Sequence, residues 1–203
     1  MTRIIGGTVG GQRIAAPRGV HTRPTTDRVR EALFSAIESW CGSLEGLRFL
    51  DLYAGSGAVG IEARSRGAGV VTLVESDRRT ATLVAANVRK VGLNRAEVIS
   101  ATVEQFLLRV PRAPYDVVFL DPPYPVTNAE VEGILGNLVQ NGWLAEGALV
   151  VVERASRGER FTWPAGIEEW REKKYGETLL GYGRAARASA QDHGTPSDGD
   201  ARE

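Results

Sequence analysis

Two clusters in this chain place acids beside backbone-exposing residues at spacings that suit ligand chemistry. The first, Asp51-Leu-Tyr-Ala-Gly55-Ser-Gly57-Ala-Val-Gly60, has the form G-x-G-x-x-G, and Glu75 follows Gly55 by 20 residues. In such a strand-to-helix turn the glycines admit close backbone approach to a ligand, and an acid about 20 residues on meets ribose hydroxyls. Spacing alone therefore leaves a dinucleotide open, as it leaves open a plain tight turn. Asp51 shifts the balance: a pyrophosphate at this turn would meet like-charge repulsion in a partly desolvated cleft, whereas a sulfonium and an α-ammonium are attracted. The residues favour S-adenosylmethionine over NAD.

The second cluster is Asp121-Pro122-Pro123-Tyr124, directly after the apolar run Val117-Val-Phe-Leu120. Two prolines stiffen the turn, the Pro122 carbonyl and the Asp121 carboxylate are acceptors, and Tyr124 offers a flat face. Rigid acceptors suit the two N–H bonds of an amine. Exocyclic amines of bases are poor nucleophiles because their lone pair conjugates with the ring; holding both N–H groups turns that lone pair toward an incoming methyl carbon. A base treated in this way has left its stack, and Tyr124 is a surface on which it would lie. The competing reading is a proline-rich turn in which Asp121 caps a helix.

The elements that must position these clusters follow from periodicity. Apolar runs at 47–52, 70–75, 96–100, 115–120 and 148–153 read as strands, and helices fill 58–67, 77–91, 102–109 and 128–140. Strict alternation predicts a Rossmann-like, doubly wound α/β sheet, mostly parallel and seven-stranded, which binds ligands at the carboxyl ends of its strands. Segments 160–163, 167–175 and 178–183 complete it as closing strands, at least one antiparallel. A preceding helix, capped by Thr25 or Thr26, buries the stripe Val29, Leu33, Ile37 and Trp40 and leaves Arg28 and Arg30 off it. Residues 3–14, with paired glycines, read as a small N-terminal hairpin. Residues 185–203 lack an apolar period and are expected to be a disordered tail.

The chain of 203 residues has a formal net charge of zero, 42% hydrophobic residues and one cysteine, Cys41. No disulfide or cysteine-based metal centre is expected, no window resembles a membrane span, and the first residues lack the apolar core of a secretory leader. A cytoplasmic protein without a metal is the expectation. Charge is unevenly placed: residues 1–30 carry six arginines against the single acid Asp27, a net charge of +5. Arginines without lysine suit bidentate phosphate contact and stacking on bases, although a solvated basic face is the plainer account.

On these motifs the chain resembles class I S-adenosylmethionine methyltransferases of the group with [DNS]-P-P-[YFW], which methylates amino nitrogens. Arg3-Ile-Ile-Gly-Gly, the run Thr22-Arg-Pro-Thr-Thr-Asp-Arg-Val-Arg-Glu-Ala-Leu-Phe34 and Tyr175-Gly-Glu-Thr178 narrow the resemblance to the bacterial 16S rRNA guanine-N2 methyltransferase family, over residues 3 to about 183. The resemblance implies S-adenosylmethionine held by Asp51, Tyr53, Gly55, Ser56, Gly57 and Glu75, with the catalytic set Asp121, Pro122, Pro123 and Tyr124. It places the adenine pocket at Thr102 and Val103, where the family more often has an acid or amide. It assigns RNA contact to a basic arm, residues 1–25, through Arg3, Arg13, Arg18, Arg23 and Arg28. Residues 26–184 become the methyltransferase domain, acting as a monomer on 16S rRNA in an assembled or partly assembled 30S subunit, away from any membrane. A DNA adenine-N6 methyltransferase shares the tetrapeptide but needs a duplex-reading domain that is not evident. A protein glutamine methyltransferase usually begins it with Asn. A binding-only rRNA assembly factor would have no need of Asp121.

Overall fold

The computed structural model describes residues 1–17 and 26–187. Arg18 and Arg23 lie outside the described residues, as do residues 188–203 of the expected tail. Seven strands form the main sheet: β3 (Arg48–Leu52), β4 (Val70–Glu75), β5 (Ala96–Ser100), β6 (Tyr115–Leu120), β7 (Leu144–Ala155), β8 (Ile167–Tyr175) and β9 (Thr178–Ala185). Their order is β5-β4-β3-β6-β7-β9-β8, and the pairs from β5 through β7 are parallel while β9 runs antiparallel to both of its neighbours. The expected fold class is the one observed. The chain winds outward from β3 through β4 to β5, then returns to β6 on the other side of β3. The reversal lies between β3 and β6, where a doubly wound sheet opens a crevice for ligands.

Each face of the sheet buries one apolar layer. Helices α1 (Asp27–Cys41), α2 (Ala58–Ser65) and α3 (Arg78–Lys90) supply Leu33, Phe34, Ile61 and Val84 to one core, which contains Phe49, Leu73 and Phe119. The other core holds Leu52, Leu120 and Val152 under α4 (Val103–Leu107) and α5 (Asn128–Gln140). Helix starts are set by local caps: the side chain of Thr26 accepts from Val29 N–H, resolving the choice between Thr25 and Thr26, and Thr127 and Glu130 form a capping box on α5. Strands β1 (Thr2–Arg3) and β2 (Arg13–Ile14) pair antiparallel, so the expected hairpin is present with two residues in each strand. Helix ends shrink by one or two residues from those expected, and α1 stops at Gly42, with φ +75°.

Three expectations need correction. Arg30 is not on a solvated face but 1% exposed; its Nε donates to the wholly buried carboxylate of Glu62 at 2.8 Å, and its remaining donors take Thr2, the Arg3 carbonyl and Asp27. The other Glu62 oxygen holds Arg66 at 2.8 Å, and Ile5 N–H donates to Glu62 as well. This buried ionic knot ties the hairpin to α1 and α2, so one of the six arginines is structural. Residues 160–163 are not a strand: Thr162 N–H donates to the Glu132 side chain, and the Phe161 and Trp163 rings lie against Gly181 and Gly183 of β9. A Cβ on Gly183 would stand 2.7 Å from the Trp163 ring, so the bare backbone of β9 is the seat for those aromatics. Last, β9 continues to Ala185, the residue expected to begin the tail.

Candidate cofactor and catalytic site

The glycine turn after β3 is built by hydrogen bonds from acids on neighbouring strands. Asp51 is 1% exposed, and its Oδ2 accepts from Gly60 N–H at 2.8 Å, satisfying an amide in the first turn of α2. Glu75, at the end of β4, accepts from Gly55 N–H at 3.0 Å and from Asp77 N–H at 2.8 Å. Each carboxylate oxygen has two lone-pair directions, so these bonds leave Glu75 able to accept from ribose hydroxyls. Gly57 has φ +79°, and a Cβ there would lie 2.8 Å from Val84; at Gly60 it would lie 2.6 Å from Leu73. The glycines are therefore required by backbone conformation and by close packing of α2 on β4 and α3.

Tyr53 also has positive φ, +66°, an uncommon conformation outside glycine. Its hydroxyl is buried with no hydrogen-bond partner among the described residues, and burial, reinforced by Glu104 and Glu130, raises its pKa. The carbonyl of Ser56 accepts from Asn87 Nδ2 at 3.0 Å. Beyond β4, after β5, Thr102 is the N-cap of α4, its hydroxyl oxygen accepting from Gln105 N–H at 3.2 Å, and Val103 is buried beside it. That bond uses the hydroxyl oxygen and not its proton.

The tetrapeptide stands at the expected place. Leu52, Leu120 and Val152 are register partners on β3, β6 and β7 and point into the same core. By alternation Asp51, Asp121 and Glu153, each one residue away, face the opposite side. Asp121 and Glu153 follow the last β6–β7 register pair at one level, with Asp51, the partner of Phe119, one same-face step below. Burial pushes the Asp51 carboxyl up to about 8, and the negative charges of Asp121 and Glu75 add to that rise against the Gly60 hydrogen bond. The negative charges of Asp121 and Glu75 beside this turn repel pyrophosphate and favour a cationic ligand, which fits S-adenosylmethionine with its sulfonium and ammonium.

Pro122 is buried, the Pro123 carbonyl accepts from Val126 N–H at 2.9 Å, and Tyr124 projects outward with 67% exposure. At Asp121 a cleft of about 370 Å³ opens, lined also by Tyr124, Glu153, Arg157, Glu177 and Thr26. Arg154 donates to the Val126 carbonyl at 2.8 Å and to Asn128, bracing the segment after the tetrapeptide against β7.

The structure thus joins Asp51, Glu75, Asp121 and the turn residues at one crevice, with Thr102 and Val103 at the start of α4 after β5. Arg3 and Arg13 lie on the hairpin and Arg28 is exposed on α1; Arg3 is 63% exposed at its side chain and paired with Asp27 at 3.0 Å. Glu153, 7% exposed, and Asn87, 2% exposed, escaped the sequence reading. Glu153 had a signal, an acid closing the apolar run that starts at Ala148. Asn87 had none beyond being polar on the inner flank of a helix.

Comparison with known proteins agrees with this geometry. A family model described as conserved hypothetical protein 95 matches residues 2–184. The ribosomal RNA small subunit methyltransferase D of Escherichia coli K12 is 38% identical over 176 residues, covering 86% of this chain and 85% of its own. A putative rRNA methyltransferase of Bacillus subtilis is 32% identical, with 87% and 95% covered. A solved structure of a putative methyltransferase from Escherichia coli superposes with a TM-score of 0.81 at 36% identity, covering 91% of this chain and 98% of that one. The chain belongs to the conserved hypothetical protein 95 family, that of the small-subunit ribosomal RNA methyltransferases D.

Proposed function

We propose that this protein methylates the exocyclic N2 amine of a guanine in small-subunit ribosomal RNA, using S-adenosylmethionine, on assembled or partly assembled 30S subunits. One observation carries the reading. Asp121-Pro122-Pro123-Tyr124 sits at the strand reversal, one level above Asp51, and opens on a cleft of a size to receive a single base. The family membership supports the methyltransferase class, and the curated relatives are named for ribosomal RNA.

The bound cofactor supplies an electrophilic methyl on a sulfonium. Asp51, Tyr53, Gly55, Ser56, Gly57 and Glu75 hold it from the β3–β4 side, with Thr102 and Val103 at the adenine. Asp121 and the Pro122 carbonyl accept the two N–H bonds of the target amine and turn its lone pair toward the crevice. Tyr124 carries the unstacked base on its exposed ring. Such catalysis is mainly positioning and charge complementarity. In this reading residues 1–25 are the RNA-contacting arm, with Arg3 and Arg13 on its described part, and Arg28 adjoins it on the 26–184 methyltransferase domain. The protein acts in the cytoplasm as a monomer. No helix among the described residues is long and apolar enough to cross a membrane.

Methyl transfer from radiolabelled cofactor to small subunits of a strain lacking the gene, compared with naked 16S rRNA and duplex DNA, tests this. N2-methylguanosine in subunit RNA is the expected product. N6-methyladenine in DNA would select the DNA methyltransferase instead, and RNA binding without transfer would select a binding-only assembly factor.

A further inference from the structure

The sequence reading confined the RNA surface to the first 30 residues, but the structure places a second cationic surface against that arm. Helix α3, Arg78–Lys90, contains Arg78, Arg79, Arg89 and Lys90 and not one acid, in a chain whose net charge is zero. All four cations are exposed. At 100° per residue Arg78, Thr82, Ala85 and Arg89 fall within a sector of about 60°, and Arg79, Ala86 and Lys90 form the adjacent row. The buried residues Thr80, Ala81, Val84, Asn87 and Val88 occupy the opposite side. Only threonine and alanines stand between the two ends of this outer face, so the surface between the cations is low. The ends are eleven residues apart, roughly 16 Å along the axis.

Its attachment to the arm separates this helix from an ordinary solvated face. Arg3, Arg30, Arg66 and Arg160 are in ion pairs, whereas the α3 cations share the lack of one with other described arginines such as Arg109 and Arg112. Among the described residues, Arg78, Arg79, Arg89 and Lys90 make no ion pair, though Arg79 lies near the cap carboxylate of Asp77. The helix is also fastened to the arm. Lys90 Nζ donates to the Arg13 carbonyl at 2.7 Å, and the Asn87 amide both donates to and accepts from the backbone of Ala15 at 2.9 Å. Arg13 and the α3 cations are therefore held as one surface, running from the arm to Arg78 and Arg79 at the carboxyl end of β4, beside the crevice.

We propose that the outer face of α3 is a second RNA-docking surface, which binds the phosphodiester backbone of structured RNA next to the target base. The proposal rests on the RNA-methyltransferase reading above. Arginine guanidinium groups pair with phosphate in bidentate fashion, and a low surface between them lets a backbone approach. Contacts of this class orient the substrate without reading its bases.

The test is the salt dependence of binding to small subunits and to naked 16S rRNA for the wild type, R78Q/R79Q/R89Q and the control R109Q/R112Q. The control cations lie in the connection from α4 to β6, and α4 packs on the face of the sheet opposite to α3. Lys90 is left in place because it holds the arm, and glutamine preserves helix propensity. The triple variant is expected to bind RNA at least tenfold more weakly and to lower the slope of log affinity against log salt by about 2 to 3. Its cofactor affinity should stay within twofold of wild type, and its turnover at saturating RNA should be unchanged. Wild-type affinity and slope in the triple variant, with wild-type transfer intact, would overturn the docking surface and leave the methyltransferase reading standing. An equal loss in the control would also overturn it, by assigning the effect to net charge. Absence of RNA binding and transfer in the wild type would remove both.

Discussion

The side-chain amide of Asn87 donates to the carbonyl of Ser56 at 3.0 Å while gripping the backbone of Ala15 through both its nitrogen and its oxygen. One buried residue on α3 thereby fastens the cofactor turn to the N-terminal arm. Replacing it by alanine strands an amide and two carbonyls, at a cost of about 1–3 kcal/mol for a buried group left unsatisfied. Asn87→Ala is expected to lower stability by about that amount and to weaken cofactor binding about tenfold. Denaturant unfolding and titration calorimetry measure the two effects; an unchanged cofactor affinity would mean that Ser56 is held without Asn87.

Asp51 gives a pH signature. With its carboxyl at about 8 in the folded protein against 3.8 ordinarily, the folded state holds a proton that the unfolded chain has released between those values. Stability from this group is full below about pH 4 and is lost as pH rises toward 8. Asp51→Asn keeps an oxygen for Gly60 N–H and removes the titration. The variant's melting temperature relative to wild type should therefore rise from pH 5 to pH 8. Cofactor binding runs the other way: a cationic ligand favours the ionised acid, so wild-type affinity should climb over the same range while that of the variant stays flat and at least tenfold lower at pH 8.

Asp121→Ala should abolish measurable turnover and leave cofactor affinity within about threefold, since the turn after β3 is untouched. Tyr124→Ala should cost roughly 10- to 100-fold in kcat/KM for RNA, the size of one lost base stack. Single-turnover methylation alongside cofactor titration separates the two roles. Wild-type turnover of the Asp121 variant would remove that residue from catalysis.

Glu62 is wholly buried between Arg30 and Arg66. Glu62→Gln takes one of two carboxylate partners from each of Arg30 and Arg66, which keep Asp27 and Glu38, so the cost should fall at or below the low end, about 3 kcal/mol, of that for breaking a buried pair. The hairpin should loosen first, because Arg30 also holds the Arg3 carbonyl and Thr2. Limited proteolysis is expected to cut within residues 1–17 of the variant well before the sheet unfolds; equal cleavage of wild type and variant would show that the hairpin is secured elsewhere.

The parts of this molecule legible in its sequence are those set by near neighbours. Apolar runs of five or six residues ending in an acid or a turn, alternating with helical stripes, were enough for the strands, their parallel course and the crevice at their carboxyl ends. The glycine turn and the tetrapeptide were legible because their chemistry is contained in ten residues and in four. The aromatic segment 160–163 misled for the same local reason: its composition is that of a strand, but the seat offered by Gly181 and Gly183 and the acceptor on Glu132 lie on other elements.

What the sequence by itself determined is the order of elements and the two short motifs, since hydrogen-bonding period and turn chemistry act over a few residues. Tertiary structure alone decided how charge is used. Arg30 became a buried strut because Glu62 reaches it from 32 residues away, Asp51 gained its raised pKa from burial and from Asp121 and Glu75 on neighbouring strands, and α3 acquired the arm as a neighbour through Asn87 and Lys90. An ionisable group takes its energy from desolvation and from charges within a few ångströms, and those distances exist only once the strands are paired.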